Sequence, residues 1–209
     1  MIAASSGERW LLATRSEGKL RELRPLFARA GLEVLDLRSA GIVESAAEDG
    51  LEEFNTFEAN ALAKARYFFA LTGWETVADD SGLEVRALRG APGTRSKRWS
   101  GRADLSGRAL DDMNNFKLLH ALERESDRRA RFVCAAAYVG RGGERVSRGE
   151  TAGEILRQGR GVGGFGYDAL FASAELGLTF GEADLLAKER VSHRGVAFQS
   201  LFEAIGILR

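Results

Sequence analysis

The sequence predicts an α/β architecture built on a mixed β-sheet, and three observations carry that prediction. Short apolar runs bounded by polar turns, Trp10 to Ala13 first among them, alternate with segments of helical spacing. Two strand-like segments, Arg131 to Val139 and Arg145 to Leu156, flank a glycine turn at Gly140 to Gly143. There are no internal repeats, and strands and helices are interleaved rather than segregated. With 209 residues the chain fits one large domain or two closely packed lobes. A core of that size buries roughly 70% of the surface of an unfolded chain, so no covalent staple is required.

Each element follows in order. Trp10 to Ala13 reads as a strand ended by the polar run Thr14-Arg15-Ser16-Glu17-Gly18. Leu20, Leu23, Phe27 and Ala30 then recur at helical spacing, with Gly31 as the stop. Leu32 to Leu37 reads as a second strand, and the acidic stretch Glu44 to Glu53 as an exposed connection. Thr56 is placed to cap a helix whose buried stripe is Phe57, Ala61, Ala65 and Phe68, with Asn60, Lys64 and Tyr67 on a neighbouring face. Gly73 ends it. A strand begins at Thr76 to Ala78, is interrupted by Asp79-Asp80-Ser81-Gly82, and resumes at Leu83 to Val85. A helix over Leu110 to Leu122 precedes the strand pair, and a glycine-rich loop, Gly159 to Gly166, precedes a short strand at Tyr167 to Phe171. Glu182 to Lys188 and Gly195 to Ile207 are the last two helices.

Composition narrows the function classes. Lys+Arg and Asp+Glu both total 30, so the net charge is zero and the basic excess of a general nucleic-acid binder is missing. Local clusters remain at Arg95, Lys97, Arg98 and Arg102, and at Arg124, Arg128, Arg129 and Arg131; the second reads as a solvated loop or helix end. The most apolar run, Phe132 to Val139, is far shorter than the ~20 residues of a bilayer-spanning helix, so no membrane association is expected. Met1 to Arg9 lacks the apolar stretch of a secretory signal. A single cysteine, Cys134, excludes an intramolecular disulfide framework and a thiolate metal cage, and a cytoplasmic setting is expected.

Four segments carry chemistry. Asp79 and Asp80 follow an apolar strand, where two carboxylates are costly unless a cation or water partners them. Alternation along a strand turns them to opposite faces, so one can meet a metal while the other holds a loop. Magnesium suits such a place because it binds one or two carboxylates and keeps waters and substrate phosphates. The same residues also read as an Asp-rich turn bent at Gly82. Thr14 to Lys19 lies at a strand-to-helix junction, where helix amides, a glycine and a lysine can cradle phosphate, although Ser16 reads equally as an ordinary N-cap. Gly161-Val-Gly163-Gly-Phe-Gly166 is a literal G-x-G-x-x-G but lies late in the chain and runs into Tyr167-Asp168, which excludes a dinucleotide fingerprint and suggests close backbone approach to a flat ligand. Lys188 with Ser192-His193-Arg194-Gly195 can bind an anion or donate to a carbonyl, or can be surface residues. His120 reads as structural.

In this order the segments resemble the inosine triphosphate pyrophosphatase family, also called Ham1-like or non-canonical purine triphosphate pyrophosphatases. The matching stretches are Ala13 to Lys19, Thr56-Phe57 to Asn60-Ala61 with Lys64-Ala65, Ala78-Asp79-Asp80-Ser81-Gly82-Leu83, Gly90 to Gly93 with Ser96 and Arg98, Gly163 to Asp168, and Ser192 to Gly195. The resemblance implies one domain over residues 1–209 with two lobes around a long mixed sheet flanked by helices, a nucleotide cleft between the lobes, and a homodimer. It implies that Asp80 is the proton acceptor and a magnesium ligand, with Glu48 as second ligand. It also implies that Thr14, Arg15, Ser16, Glu17, Gly18 and Lys19 hold phosphates together with Lys64. Ser81, Phe165, Gly166, Tyr167, Asp168, Lys188, His193 and Arg194 then surround the nucleotide. Two residues depart from the family pattern: Ser16 stands at a usual Asn, and Ala59 at a usual Glu.

The expected reaction is Mg2+-assisted attack of water at the α-phosphorus of ITP, dITP or XTP, releasing pyrophosphate and a nucleoside monophosphate. Donors such as Arg194 and backbone N–H groups suit a 6-oxo purine and are left unpaired by the 6-amino group of adenine. The alternatives are a Maf-like nucleotide pyrophosphatase of other base specificity and a non-catalytic nucleotide-binding module.

Overall fold

The structure is a computed structural model that describes residues 9–208. The stretch on which the absence of a secretory signal was expected lies, apart from Arg9, outside them. The described residues form a mixed α/β fold. Its helices flank one six-stranded sheet made of β1 (Trp10–Leu12), β2 (Val34–Asp36), β3 (Glu75–Val85), β4 (Arg129–Gly140), β5 (Gly143–Ile155) and β6 (Phe171–Ser173), in the order β2-β1-β3-β4-β5-β6. β1 runs parallel to both β2 and β3, with Leu11 opposite Leu35 on one side and Thr76 on the other. β5 and β6 are antiparallel, Glu154 facing Ala172. The two-residue connection between the adjacent strands β4 and β5 makes them a hairpin. The helices are α1 (Glu17–Arg29), α2 (Phe57–Thr72), α3 (Gly107–Ala121), α4 (Leu185–Val191) and α5 (His193–Ala204). Among the described residues no helix is long and apolar enough to cross a membrane.

Local chemistry explains the helix ends. Ser16 Oγ accepts from Lys19 N at the start of α1, with Glu17 in the first turn and Arg29 in the last, which matches the helix dipole. Thr56 Oγ1 accepts from Ala59 N at the start of α2, and Gly73, at φ 67°, closes it. Asp184 caps α4 through Ala187 N at 2.8 Å, so that helix begins three residues after the expected Glu182. Glu182 instead accepts from Thr179 N at 2.9 Å.

Two further expectations are corrected. Asp79 to Gly82 does not interrupt a strand: β3 runs unbroken through it and is buried from Glu75 to Asp80. The polar residues are tolerated there because cationic and amide side chains meet them. The strand expected at Tyr167 to Phe171 begins only at Phe171. Ahead of it Leu170 N donates to Tyr167 O at 2.9 Å and Asp168 N to Phe165 O at 3.2 Å, closing turns where a ladder would have run.

The chain divides into two compact units, each with its own core. Among the described residues the first comprises 9–80, Cys134–Gly149 and 194–208. Its core holds Trp10, Leu12, Leu23, Phe27, Tyr138, Phe198 and Phe202. The edges of Phe198 and Phe202 meet Phe27 with centroids 5.7 and 4.9 Å apart, and truncating Phe27 to alanine costs about 3–5 kcal/mol. The second unit comprises Ser81–Val133 and Glu150–His193. Its core gathers Leu83, Leu118, Leu122, Phe132, Phe171 and Phe180.

Candidate active site

Within the first unit, charged side chains converge on the middle of β3, at Asp79 and Asp80. Asp79 has no exposed surface. Its Oδ2 lies 3.0 Å from Lys19 Nζ on α1 and accepts from Arg194 Nε at 3.2 Å and from Cys134 Sγ at 3.7 Å. Its main-chain oxygen accepts from Lys19 Nζ at 3.3 Å and from Lys64 Nζ on α2 at 2.5 Å. Burial alone would raise the Asp79 carboxyl, but the charges of Lys19, Arg194 and Lys64 outweigh it and hold the group well below the usual carboxylate range. Its Oδ1 is buried without a hydrogen-bond partner.

Asp80 faces a different set. Asn60 Nδ2 donates to its Oδ2 at 2.8 Å, and Asn60 is itself held by Phe54 N, which donates to Oδ1 at 2.8 Å. Asn60 and Lys64 are four residues apart on α2, so one helix face supplies both groups. Burial raises the Asp80 carboxyl; Lys64 and Lys19 pull it back, and Glu52 pushes it up again. Lys64 is buried, which disfavours its charge, yet Glu52, Asp80 and Asp79 together raise it. It forms a short ion pair with Glu52.

The structure brings some of the anticipated residues together and separates others. Lys19, Lys64 and Asp80 share one cluster. Ser81 follows in β3. Thr14 Oγ1 accepts from Ser16 N at 3.2 Å and Gly18 is buried, so the first loop is tied to the helix start, with Glu17 exposed beside Arg38 at 3.9 Å. Arg15 turns to the acidic segment and forms a two-point pair with Glu48, 2.9 Å from Nε and 2.7 Å from Nη2. Glu48, anticipated as a metal ligand, is thereby engaged by a guanidinium and by Ser45 N. The carboxylate whose charge acts on Asp80 is Glu52.

Arg194, anticipated beside a purine, is 2% exposed and bridges Glu22 of α1 and Asp79. A guanidinium forked between the buried Asp79 and the partly buried Glu22 organises the aspartate cluster. Local patterning announced Asn60 through its spacing from Lys64. Nothing in the sequence announced Glu22 as the partner of Arg194.

In the second unit, Lys188 Nζ meets Asp168 Oδ2 at 2.6 Å, with both side chains almost fully buried. The same oxygen accepts from Phe165 N at 2.7 Å. The ammonium sits 5.4 Å from the Phe165 ring centroid and 5.1 Å from that of Phe180. Tyr167 points inward and donates from its hydroxyl to Ser96 O at 2.8 Å. His193 stacks on Phe132, with centroids 4.6 Å apart and planes at 10°. The glycine loop is shaped by the protein's own packing: a Cβ on Gly161 would lie 2.1 Å from the Gly181 backbone, and one on Gly164, at φ +73°, would lie 2.1 Å from Asp168 Oδ2. The close approach expected toward a ligand is made to Gly181 and Asp168.

A family model described as the Ham1 family matches residues 10–204. A protein from Frankia alni named dITP/XTP pyrophosphatase is 46% identical over 196 residues, covering 92% of this chain and 95% of its own. One of the same name from Mycobacterium bovis is 47% identical over 198 residues, covering 93% and 94%. The solved structure of a HAM1 protein from Coxiella burnetii superimposes with a TM-score of 0.81 at 32% identity, covering 97% of this chain and all of that one.

Proposed function

The chain belongs to the Ham1 family, and we propose that it hydrolyses non-canonical purine nucleoside triphosphates such as ITP, dITP and XTP to the monophosphate and pyrophosphate. The relatives named dITP/XTP pyrophosphatase support the reaction class. The observation that carries the reading in this chain is the meeting of Lys19 and Lys64 at one carbonyl oxygen, that of Asp79, next to the carboxylate of Asp80.

A triphosphate resists attack because its oxygens are negative, so catalysis consists of offsetting that charge and placing a water. Lys19 and Lys64 supply positive charge from two helices and are held in place by β3. Asp80 orients the attacking water and takes its proton; a carboxyl raised by burial is a stronger base than an exposed one. Attack at the α-phosphorus then releases pyrophosphate. Arg194 and Asp79 keep Lys19 in position. Phe165, with the Lys188–Asp168 pair behind it, is assigned to base recognition.

The donor chemistry at Asp80 fits a hard divalent cation. Asp80, which is buried, and Glu52, whose side chain is 38% exposed, are oxygen donors whose negative charges act on each other, and a cation between them would relieve that repulsion. Asp80 with Glu52 would hold Mg2+, which draws its other ligands from water and phosphate. When bound, it supplies further neutralisation of phosphate charge. A homodimer acting in the cytoplasm completes the proposal; its oligomeric state is read by size-exclusion chromatography with light scattering.

Pyrophosphate release from ITP, XTP, GTP and ATP, with and without Mg2+, tests the reaction. ITP and XTP should exceed ATP by at least about tenfold in kcat/KM, and Asp80→Asn should lose about a hundredfold or more of the turnover while remaining folded. Equal rates on all four nucleotides, or near-normal turnover in D80N, would sink the proposal.

A further inference from the structure

We infer that Asp111 and Asn115 on α3 are positioning residues for substrate, acting through the peptide groups of Gly166. The inference rests on reading Phe165 to Asp168 as a substrate-binding segment. The two side chains stand four residues apart and leave the same helix face. Gly166 N donates to Asp111 Oδ2 at 2.8 Å, and Asn115 Nδ2 donates to Gly166 O at 3.0 Å. The two bonds grip successive peptide planes, one on each side of the Gly166 Cα.

Gly166 has φ +61°, the left-handed region that residues with a Cβ seldom adopt. A Cβ added there would meet nothing within 4 Å, so the backbone conformation itself, rather than lack of space, calls for glycine. α3 holds that conformation together with the turn that Asp168 N closes on Phe165 O. Its consequence falls on the neighbours: with both planes fixed, Tyr167 is sent inward to Ser96 O and Phe165 is left half-buried beside the Lys188 ammonium. The two polar groups of Gly166 are bonded to α3, so Gly166 aims its neighbours and the aromatic beside it meets the ligand.

Neither Asp111 nor Asn115 needs to touch substrate for this. Without one of the two bonds the segment samples other backbone conformations, and binding then carries an ordering cost. That cost falls on ground state and transition state alike, so KM rises while kcat changes little.

Steady-state kinetics of the full chain on ITP tests the inference with D111A, D111N, N115A, N115D and F165A. Loss of one such bond should raise KM about fivefold in D111A and N115A with kcat within about twofold. D111N retains an oxygen that can accept from Gly166 N and should keep nearly the original KM. N115D sets a carboxylate against the Gly166 carbonyl and should be worse than N115A. Wild-type KM in both N115A and N115D, or a fall confined to kcat, overturns the inference. Hydrogen exchange of the peptide spanning Gly164 to Asp168 decides if the alanine variants fail to fold: faster exchange in N115D but not D111N supports it, and unchanged exchange in both overturns it. F165A separates the premise. An unaltered KM in F165A rejects the substrate-binding segment itself, whereas a raised KM there beside normal Asp111 and Asn115 variants rejects only the role given to α3.

Discussion

Lys19 and Lys64 donate to the same oxygen atom, the carbonyl of Asp79, at 3.3 and 2.5 Å. Two like charges are stable so close together because three carboxylates, those of Asp79, Asp80 and Glu52, surround Lys64. The cluster is therefore a mutual arrangement in which each charge sets the environment of the others.

Removing Lys64 exposes that dependence. Lys64→Met should cost about 3 kcal/mol, because Asp80 and Glu52 are left without their cation. Adding Glu52→Gln should restore part of the loss, so the double variant will be less destabilised than the sum. Urea unfolding of the four proteins in this cycle gives the coupling; strict additivity would show that the pair makes no contribution.

Asp79 links the cluster to pH. Its folded carboxyl lies below the ordinary value near 3.8, so its contribution to stability is present above that pH and is lost as pH falls through the folded value. Asp79→Asn should be destabilised by about 3–5 kcal/mol at pH 7. The gap to the native chain should narrow below about pH 4. A gap that stays constant down to the acid transition would contradict the assignment of the shift.

Asn60 tunes Asp80 in the opposite sense to burial. Its amide favours the ionised carboxylate, so Asn60→Ala should raise the carboxyl further and move the acid limb of kcat/KM upward by about half to one pH unit. The pH profile on ITP reads this directly. A limb that does not move would mean that Asp80 ionisation does not govern it.

Gly164 in the second unit's loop is confined by the side chain of Asp168. Gly164→Ala combines a left-handed φ with a Cβ 2.1 Å from Asp168 Oδ2, and should cost about 2–3 kcal/mol. The carboxylate must shift away from Lys188 and from Phe165 N, so KM for ITP should rise with the loss of stability. A thermal melt and kinetics on the same preparation check both; an unchanged melt would show that the loop yields easily.

Much of the fold was legible without coordinates. Helical spacing placed α1, α2 and α3 to within a few residues, the caps Ser16 and Thr56 fall where their hydroxyls suggested, and the glycine turn after Gly140 joins two strands. The two corrected segments share a cause, which is contact between residues distant in the chain. The polarity of Asp79 to Gly82 argues against a buried strand, whereas the structure meets it with side chains from distant segments, and the turns before Phe171 are closed by contacts that composition does not encode.

By itself, the sequence determined which elements form and which side chains carry charge, since periodicity, capping and residue type act over one or two turns. It marked Lys19, Lys64 and Asp80 together, through resemblance of ordered segments. Only the tertiary structure decided the pairings: Arg194 with Glu22 and Asp79, Glu48 with Arg15, Glu52 with Lys64, and α3 with Gly166. Such partners lie far apart along the chain, and their meeting depends on strand order and on how helices pack. An ion pair's geometry is a property of that packing, whereas a helix is largely a property of its own residues.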